Sequence, residues 1–301
     1  MDVISDIKQN QDLIERSMEK YGYCAEHYYY CFLYSIEEWE IPYIFRFDDD
    51  SLILAKYDKA DNDWYVFVGI LAPLGRWVGY FKEFLDYCFE KGARKVWIEL
   101  QTDKRKELLA HKLVRYKINR INYTLVWPVF RMNEWAGDRM EGKDWKDMRY
   151  YWNRFFRDHK VEFKEGKDVP KDELKQMIER WKSERGGKDK VYIDYYMNVI
   201  DNDFEGYDSR IMVVDGKICS ITAGYKLPHR NYYYSSLGLN IKEFDRVGEI
   251  ANMDDLITLK KKGIEIVDFG GGEKHLIEFK KKFKPSYYYK THVFSIEQIK
   301  K

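Results

Sequence analysis

Two stretches of this chain repeat one order of elements, and that recurrence limits its possible folds more than any other feature. The first runs W-Y-V-F-V-G-I-L from Trp64 to Leu71, a loop, R-W-V-G from Arg76 to Gly79, a helical pattern, E-K-G from Glu90 to Gly92, then K-V-W-I-E-L. The second runs Y-Y-Y-S-S-L-G-L from Tyr232 to Leu239, a loop, R-V-G from Arg246 to Gly248, a helical pattern, K-K-G from Lys261 to Gly263, then I-E-I-V-D-F. Strand–loop–helix–Lys-Gly–strand is a common αβ unit, so one instance says little. Its return at domain spacing predicts two similarly folded halves.

The remaining elements fit two halves. Ile7 to Tyr21 reads as a helix, with Ile7, Leu13, Ile14 and Met18 on one face. Tyr43–Phe47 and Leu52–Tyr57 flank Asp48-Asp49-Asp50-Ser51 and read as a hairpin; these acids lack the alternate spacing and glycine of a calcium loop. Trp64 to Leu71 reads as one strand, and Tyr123 to Met132 as a strand interrupted by Pro128. Polar, glycine-containing sequence from Glu134 to Lys143 marks a boundary, giving domains 1–136 and 137–301. Beyond it come a helix at Asp144–His159, a helix opened by Pro170 and stopped by Gly186-Gly187, and a helix at Ile193–Ile200. Asp215-Gly216 joins the clearest hairpin, because that pair suits a type I′ turn.

Fifty-two Lys and Arg balance 51 Asp and Glu, which excludes a general polyanion binder. A nucleic-acid contact needs a local patch, and Lys260 to Lys290 supplies one with nine lysines. Cys24, Cys31, Cys88 and Cys219 fall in apolar runs without C-x-x-C spacing and read as reduced core residues. No apolar run approaches the ~20 residues needed to span a bilayer. The N-terminus has no signal-peptide pattern, so a soluble, cytoplasmic protein is expected. His229, His275 and His292 show no ligand spacing, and no metal is expected.

The closing stretch, Gly263 to Ile296, reads as a strand, a triple-glycine turn, a basic helix, a proline stop and a last strand. Helices, a hairpin and a crossover helix in that order match the Gcn5-related N-acyltransferase fold. The chain resembles the C-terminal domain of phosphatidylglycerol lysyltransferases. Three segments carry the resemblance: L-A-P-L-G-R-W-V-G-Y-F-K-E-F-L-D-Y-C (Leu71–Cys88), G-K-D-W-K-D-M-R-Y-Y-W-N-R-F (Gly142–Phe155) and F-K-K-K-F-K-P (Phe279–Pro285). The bacterial Fem peptidyltransferases share the doubled architecture and a comparable F-K-x-x-F. The resemblance implies an α+β fold of two tandem acyltransferase-like domains, each a mixed, mostly antiparallel sheet flanked by helices. It implies transfer of an acyl or aminoacyl group to an amine or hydroxyl of a small-molecule, lipid or peptide acceptor. Aminoacyl-tRNA or acyl-CoA would serve as co-substrate, with no tightly bound cofactor, and the Lys260–Lys290 segment would contact tRNA. The active cleft would lie mainly in the second half or between the halves. The rival reading is a non-catalytic binding module on the same doubled fold.

Candidate residues follow. By analogy with the family's F-K motif, Lys280 would face a phosphate or the developing oxyanion, and Lys284 would join it in binding the donor's phosphates; otherwise Lys280 is one exposed lysine among Lys281, Lys282 and Lys284. Gly270, Gly271 and Gly272 form either an anion nest or a tight turn. Asp268 and Glu273 would hold the substrate amine or act as base, or else cap the helix. Arg149 and Asn153, four apart on one helix face, contact substrate or fasten the halves. Arg246 opens the second-half counterpart of the pyrophosphate loop that acyltransferases carry, and Arg76-Trp77-Val78-Gly79 the first.

Overall fold

A computed structural model describes residues 1–111, 113–185 and 193–299. The expected Gly186-Gly187 helix stop lies outside these residues. The first half contains β1 (Asp2–Ile4), α1 (Gln11–Tyr21), α2 (Tyr29–Tyr34), β2 (Glu40–Arg46), β3 (Leu52–Asp58), β4 (Asp63–Val66), α3 (Trp77–Glu90), β5 (Lys95–Gln101), α4 (Thr102–Ala110), β6 (Tyr116–Ile118) and β7 (Tyr123–Arg131). The second contains α5 (Lys146–Asp158), β8 (Val161–Lys164), α6 (Lys171–Glu184), α7 (Ile193–Asp201), β9 (Asp208–Val214), β10 (Lys217–Lys226), β11 (Tyr232–Asn240), α8 (Val247–Lys261), β12 (Ile266–Asp268), α9 (Lys274–Lys280) and β13 (Tyr287–Gln298).

The repeated unit becomes two parallel pairs, β4 with β5 and β11 with β12, each joined by a crossover helix as parallel strands require. All other pairings are antiparallel. The strands form one sheet in the order β1-β2-β3-β4-β5-β13-β7-β12-β11-β10-β9-β8, with β6 paired to β13. Two strands therefore join the halves. β13, last in the chain, lies against β5, while β7 lies between β13 and β12.

The strand expected at Trp64–Leu71 ends at Val66. Val68 has φ 36° and Gly69 φ 75°, so the chain turns out of the ladder there. A β-branched residue at positive φ is strained, and the Val68 carbonyl accepts from His27 Nε2 at 2.5 Å. The strand containing Pro128 is not interrupted. The Phe269 N–H donates to Pro128 O at 3.0 Å, but proline has no N–H to return the second bond of that pair. The Phe269 carbonyl is left open to another donor. The first helix begins at Gln11 rather than Ile7, with Ile7 buried in the turn before it. Asp215 and Gly216 both take positive φ, as a type I′ turn demands.

In the first half, α3 presses Phe81, Phe84 and Leu85 onto Val96, Ile98 and Leu100 of β5. Burying each such side chain contributes roughly 1.5–3 kcal/mol. In the second, α8 packs Met253 and Leu256 against Val267 and Phe130. All four cysteines are buried and free. No helix among the described residues is long and apolar enough to cross a membrane.

Candidate active site

Strand alternation decides which side chains meet. β5 turns Val96, Ile98 and Leu100 into the core under α3, so Trp97, Glu99 and Gln101 occupy the other face. Gln101 pairs with Thr291, Thr291 with Leu125, Tyr289 with Trp127, and Asp268 with Val129. Cross-strand partners share a face. Glu99, Thr291, Trp127, Tyr289 and Asp268 therefore form a strip across the join of the two halves. Trp127 Nε1 donates to Thr291 Oγ1 at 2.8 Å, and its ring stacks on Tyr289 with centroids 5.6 Å apart.

The segment Tyr23–His27, between α1 and α2, approaches this strip. His27 Nδ1 accepts from the Tyr23 N–H at 3.0 Å, and the Tyr225 hydroxyl donates to Ala25 O at 3.1 Å. Held in this way, Glu26 comes within electrostatic reach of Glu99 and Asp268.

Asp268 is 5% exposed. It accepts from the Tyr289 hydroxyl at 2.7 Å and from the Gly270 N–H at 3.1 Å. Burial pushes its carboxyl up to about 6 despite those bonds and the Lys280 charge. Glu26 is raised well above the ordinary value, first by burial and then by the charges of Glu99 and Asp268. Glu99 is raised by burial, with a hydrogen bond from Thr291 opposing it. Both glutamates are half-buried as residues, yet Glu26 Oε2 and Glu99 Oε1 are buried and have no hydrogen-bond partner. An unpaired buried carboxylate is costly, so a donor or cation placed beside these two oxygens would be favoured. No cluster of three or more His, Cys, Asp or Glu able to hold a metal exists among the described residues.

Lys280 comes to the same place, from behind the strip. Its ammonium donates to Phe269 O, the carbonyl that Pro128 leaves open, and to Gly270 O at 2.8 Å. Burial lowers its pKa to about 8, with the Asp268 charge opposing. The triple-glycine turn runs along β7: Gly272 N–H donates to Val126 O at 3.0 Å, and Val126 N–H to Gly272 O at 3.1 Å. The Gly270 and Gly272 amides are thus engaged within the chain. Among the described residues the Gly271 N–H has no hydrogen-bond partner. A Cβ on Gly271 would stand 2.6 Å from Trp127 Cε2. Gly271→Ala is therefore expected to destabilise the protein by ~1–3 kcal/mol through overpacking. Urea unfolding measures this, and an unchanged midpoint would mean that Trp127 moves aside freely.

The other expected residues lie elsewhere. Glu273 is exposed at the start of α9, with no side-chain cap bond, and Asn153 is exposed on α5. Arg149 donates to Met140 O, and Lys284 lies 3.5 Å from Asp144 and 5.0 Å from the Trp145 ring centre, so both fasten the start of α5. Arg246 (φ 68°) donates to Glu249 at 2.9 Å, and Lys282 donates to the same carboxylate at 2.8 Å. The first turn of α8 thus already holds a carboxylate from its own chain, where an incoming anion would gain from the helix dipole. In the first half, Arg76 pairs with Asp49 at 2.5 Å. The lysine-rich segment is also largely paired: Lys260 with Asp138, Lys262 with Asp208 and Lys281 with Glu278.

Sequence reasoning missed Glu26, Glu99, Trp127 and Tyr289. The available signal was an acid inside an apolar stretch, C-A-E-H-Y-Y-Y for Glu26 and V-W-I-E-L for Glu99.

The model for the C-terminal region of phosphatidylglycerol lysyltransferase matches residues 39–233. No curated protein matches the chain. Among solved structures, a conserved protein of unknown function from Bacteroides thetaiotaomicron is similar at TM-score 0.75 and 13% identity, over 98% of this chain and 99% of that one. L-PGS from Bacillus licheniformis is similar at TM-score 0.64 and 16% identity, over 94% and 90%. FemX is similar at TM-score 0.63 and 13% identity, over 98% and 97%. These likenesses establish the fold as a mixed, helix-flanked α+β one of the Gcn5-related kind. With a match across most of its length, the chain belongs to the family of phosphatidylglycerol lysyltransferase C-terminal domains.

Proposed function

We propose that this protein transfers an aminoacyl group from aminoacyl-tRNA to a hydroxyl or amine acceptor, in the cleft between Glu26, Glu99 and Asp268. The observation that carries this reading is the pair of unpartnered, buried carboxylate oxygens on Glu26 and Glu99 beside the Asp268–Tyr289 pair. An aminoacyl ester brings the ammonium group they lack, whereas an acyl-CoA brings none. Family membership and the likeness to FemX support the same chemistry.

Glu26 and Glu99 hold the α-ammonium and orient the ester. Asp268 takes the proton as the acceptor oxygen or nitrogen attacks the ester carbonyl. A carboxyl near 6 is mostly ionised at neutral pH and basic enough for this task. The Gly271 N–H is the turn's remaining donor for the oxyanion. Collapse of the intermediate breaks the carbonyl–ribose oxygen bond, and the proton passes from Asp268 to the departing ribose oxygen.

Thermal shift with amino-acid amides tests the cleft directly. Lysinamide or alaninamide at ~100 times its dissociation constant should stabilise the protein by about 2.7 kcal/mol. The N-acetylated amides, which lack the ammonium, should give no shift, and Glu99→Gln should remove the shift of the free amides. Equal shifts from free and acetylated amides would defeat this reading.

A further inference from the structure

The strip continues past Glu99 into a second feature. Two residues back along β5, about 7 Å by strand rise, Trp97 lies on the same face and pairs with Ser295 of β13. There a cleft of about 690 Å³ opens, lined by Lys95, Trp97, Lys117, Arg120, Ser295 and Glu297 among others. Its far wall is the β6–β7 loop. That wall is fixed, because Asn119 N–H donates to Ser295 O at 2.9 Å and Asn122 N–H to Val293 O at 2.8 Å. The aromatic side is fixed as well. Trp97 Nε1 donates to Asp63 at 2.9 Å, and the Tyr65 ring lies within 7° of parallel to it.

Charge distinguishes this cleft from the lysine-rich segment. Lys95 lies 3.5 Å from Glu297, which offsets it. The side chains of Lys117 and Arg120 are exposed and make no ion pair or hydrogen bond to any described residue. Two free cations and an aromatic wall in one polar groove match a chain that alternates phosphates with flat rings. The groove also lies on the face of β5 that carries Glu99, two residues along the strand from it.

We infer that this groove binds the single-stranded 3′ end of an RNA, with Lys117 and Arg120 on phosphates and Trp97 against a base. The inference rests on the aminoacyl-tRNA reading of the cleft and adds a site for the donor's nucleotides.

Fluorescence anisotropy with a labelled oligoribonucleotide ending in C-C-A, added to the full chain, tests it. The parent should bind, and affinity should fall with salt at a log–log slope of about −1.4 for two phosphate contacts. The double substitution Lys117→Glu with Arg120→Glu should weaken binding at least ~10-fold and flatten that slope. Trp97→Ala should weaken it ~10-fold with the slope unchanged, the scale of one lost base–aromatic stack. Lys281→Glu, in the paired lysine segment, should bind as the parent does. Undiminished binding by the double variant, or no binding by the parent, would overturn the inference. Displacement of the RNA by equimolar coenzyme A would overturn it too, by making the groove a general nucleotide site. The amino-acid amide shift reads the carboxylate pocket alone, so it survives if only the groove assignment fails.

Discussion

Asp268→Asn is expected to lower aminoacyl transfer by about 10²–10⁴-fold, the range for removing a positioned general base, while the protein stays folded. Above pH 6 the variant should also be more stable than the parent. Both expectations follow from one environment. Asp268 is almost wholly buried, and its carboxyl is held at about 6 against an ordinary 3.8. The folded state therefore binds a proton more tightly than the unfolded chain, and native stability falls as pH rises from about 4 through 6. The difference corresponds to ~3 kcal/mol at neutral pH and above. Asparagine carries no charge to desolvate; its oxygen can accept from the Gly270 N–H, and its amide N–H can donate to the Tyr289 hydroxyl oxygen in place of the bond that Tyr289 now donates. The same proton sets the rate. In the parent, kcat/KM should rise with pH through about 6 as Asp268 ionises, and in the variant that limb should vanish. Single-turnover transfer from charged tRNA, run beside urea unfolding at pH 5 and pH 8, measures both. A variant that is less stable at pH 8 and inactive would reduce Asp268 to a structural residue.

The legible parts of this protein were those written locally. The β4–α3–β5 and β11–α8–β12 units were visible because each consists of contiguous periodic sequence with a glycine stop. The order of strands in the sheet was not visible, since β13 reaching β5 and β7 reaching β12 are pairings between distant segments. Site residues divide along the same line. Asp268, Lys280 and the three glycines sit in one short stretch, so the sequence alone brings them together as candidates. Glu26 and Glu99 reach the cleft only through the fold, and in sequence each is a single acid among apolar neighbours. Pro128 shows how a local rule can mislead. It suggested a break in the strand, whereas the missing N–H leaves a carbonyl for Lys280. That pairing also explains why Lys280 differs from the lysines beside it, which pair with carboxylates rather than with main-chain carbonyls.

Glu26→Gln is expected to stabilise the unliganded protein by ~1–3 kcal/mol at pH 8, the scale of relieving an unpaired buried polar group. The gain should fade as the pH approaches 4. Burial and the charges of Glu99 and Asp268 hold the Glu26 carboxyl above its ordinary value in the folded state. Below that ordinary value the carboxyl is protonated in both states and contributes no difference. As pH rises the unfolded chain releases the proton first, so the parent loses stability that a glutamine variant keeps. Function should move in the opposite direction. If Glu26 exists to receive the substrate ammonium, the variant will be the more stable protein alone and the less stabilised one with lysinamide. Urea midpoints at pH 4.5 and pH 8, with and without the amide, separate the alternatives. A variant stabilised at pH 8 that still responds fully to the amide would move the ammonium site to Glu99 and Asp268. A variant destabilised at both pH values would mean that the Glu26 carboxylate is satisfied in the folded protein, and would remove the basis for a cation in the cleft.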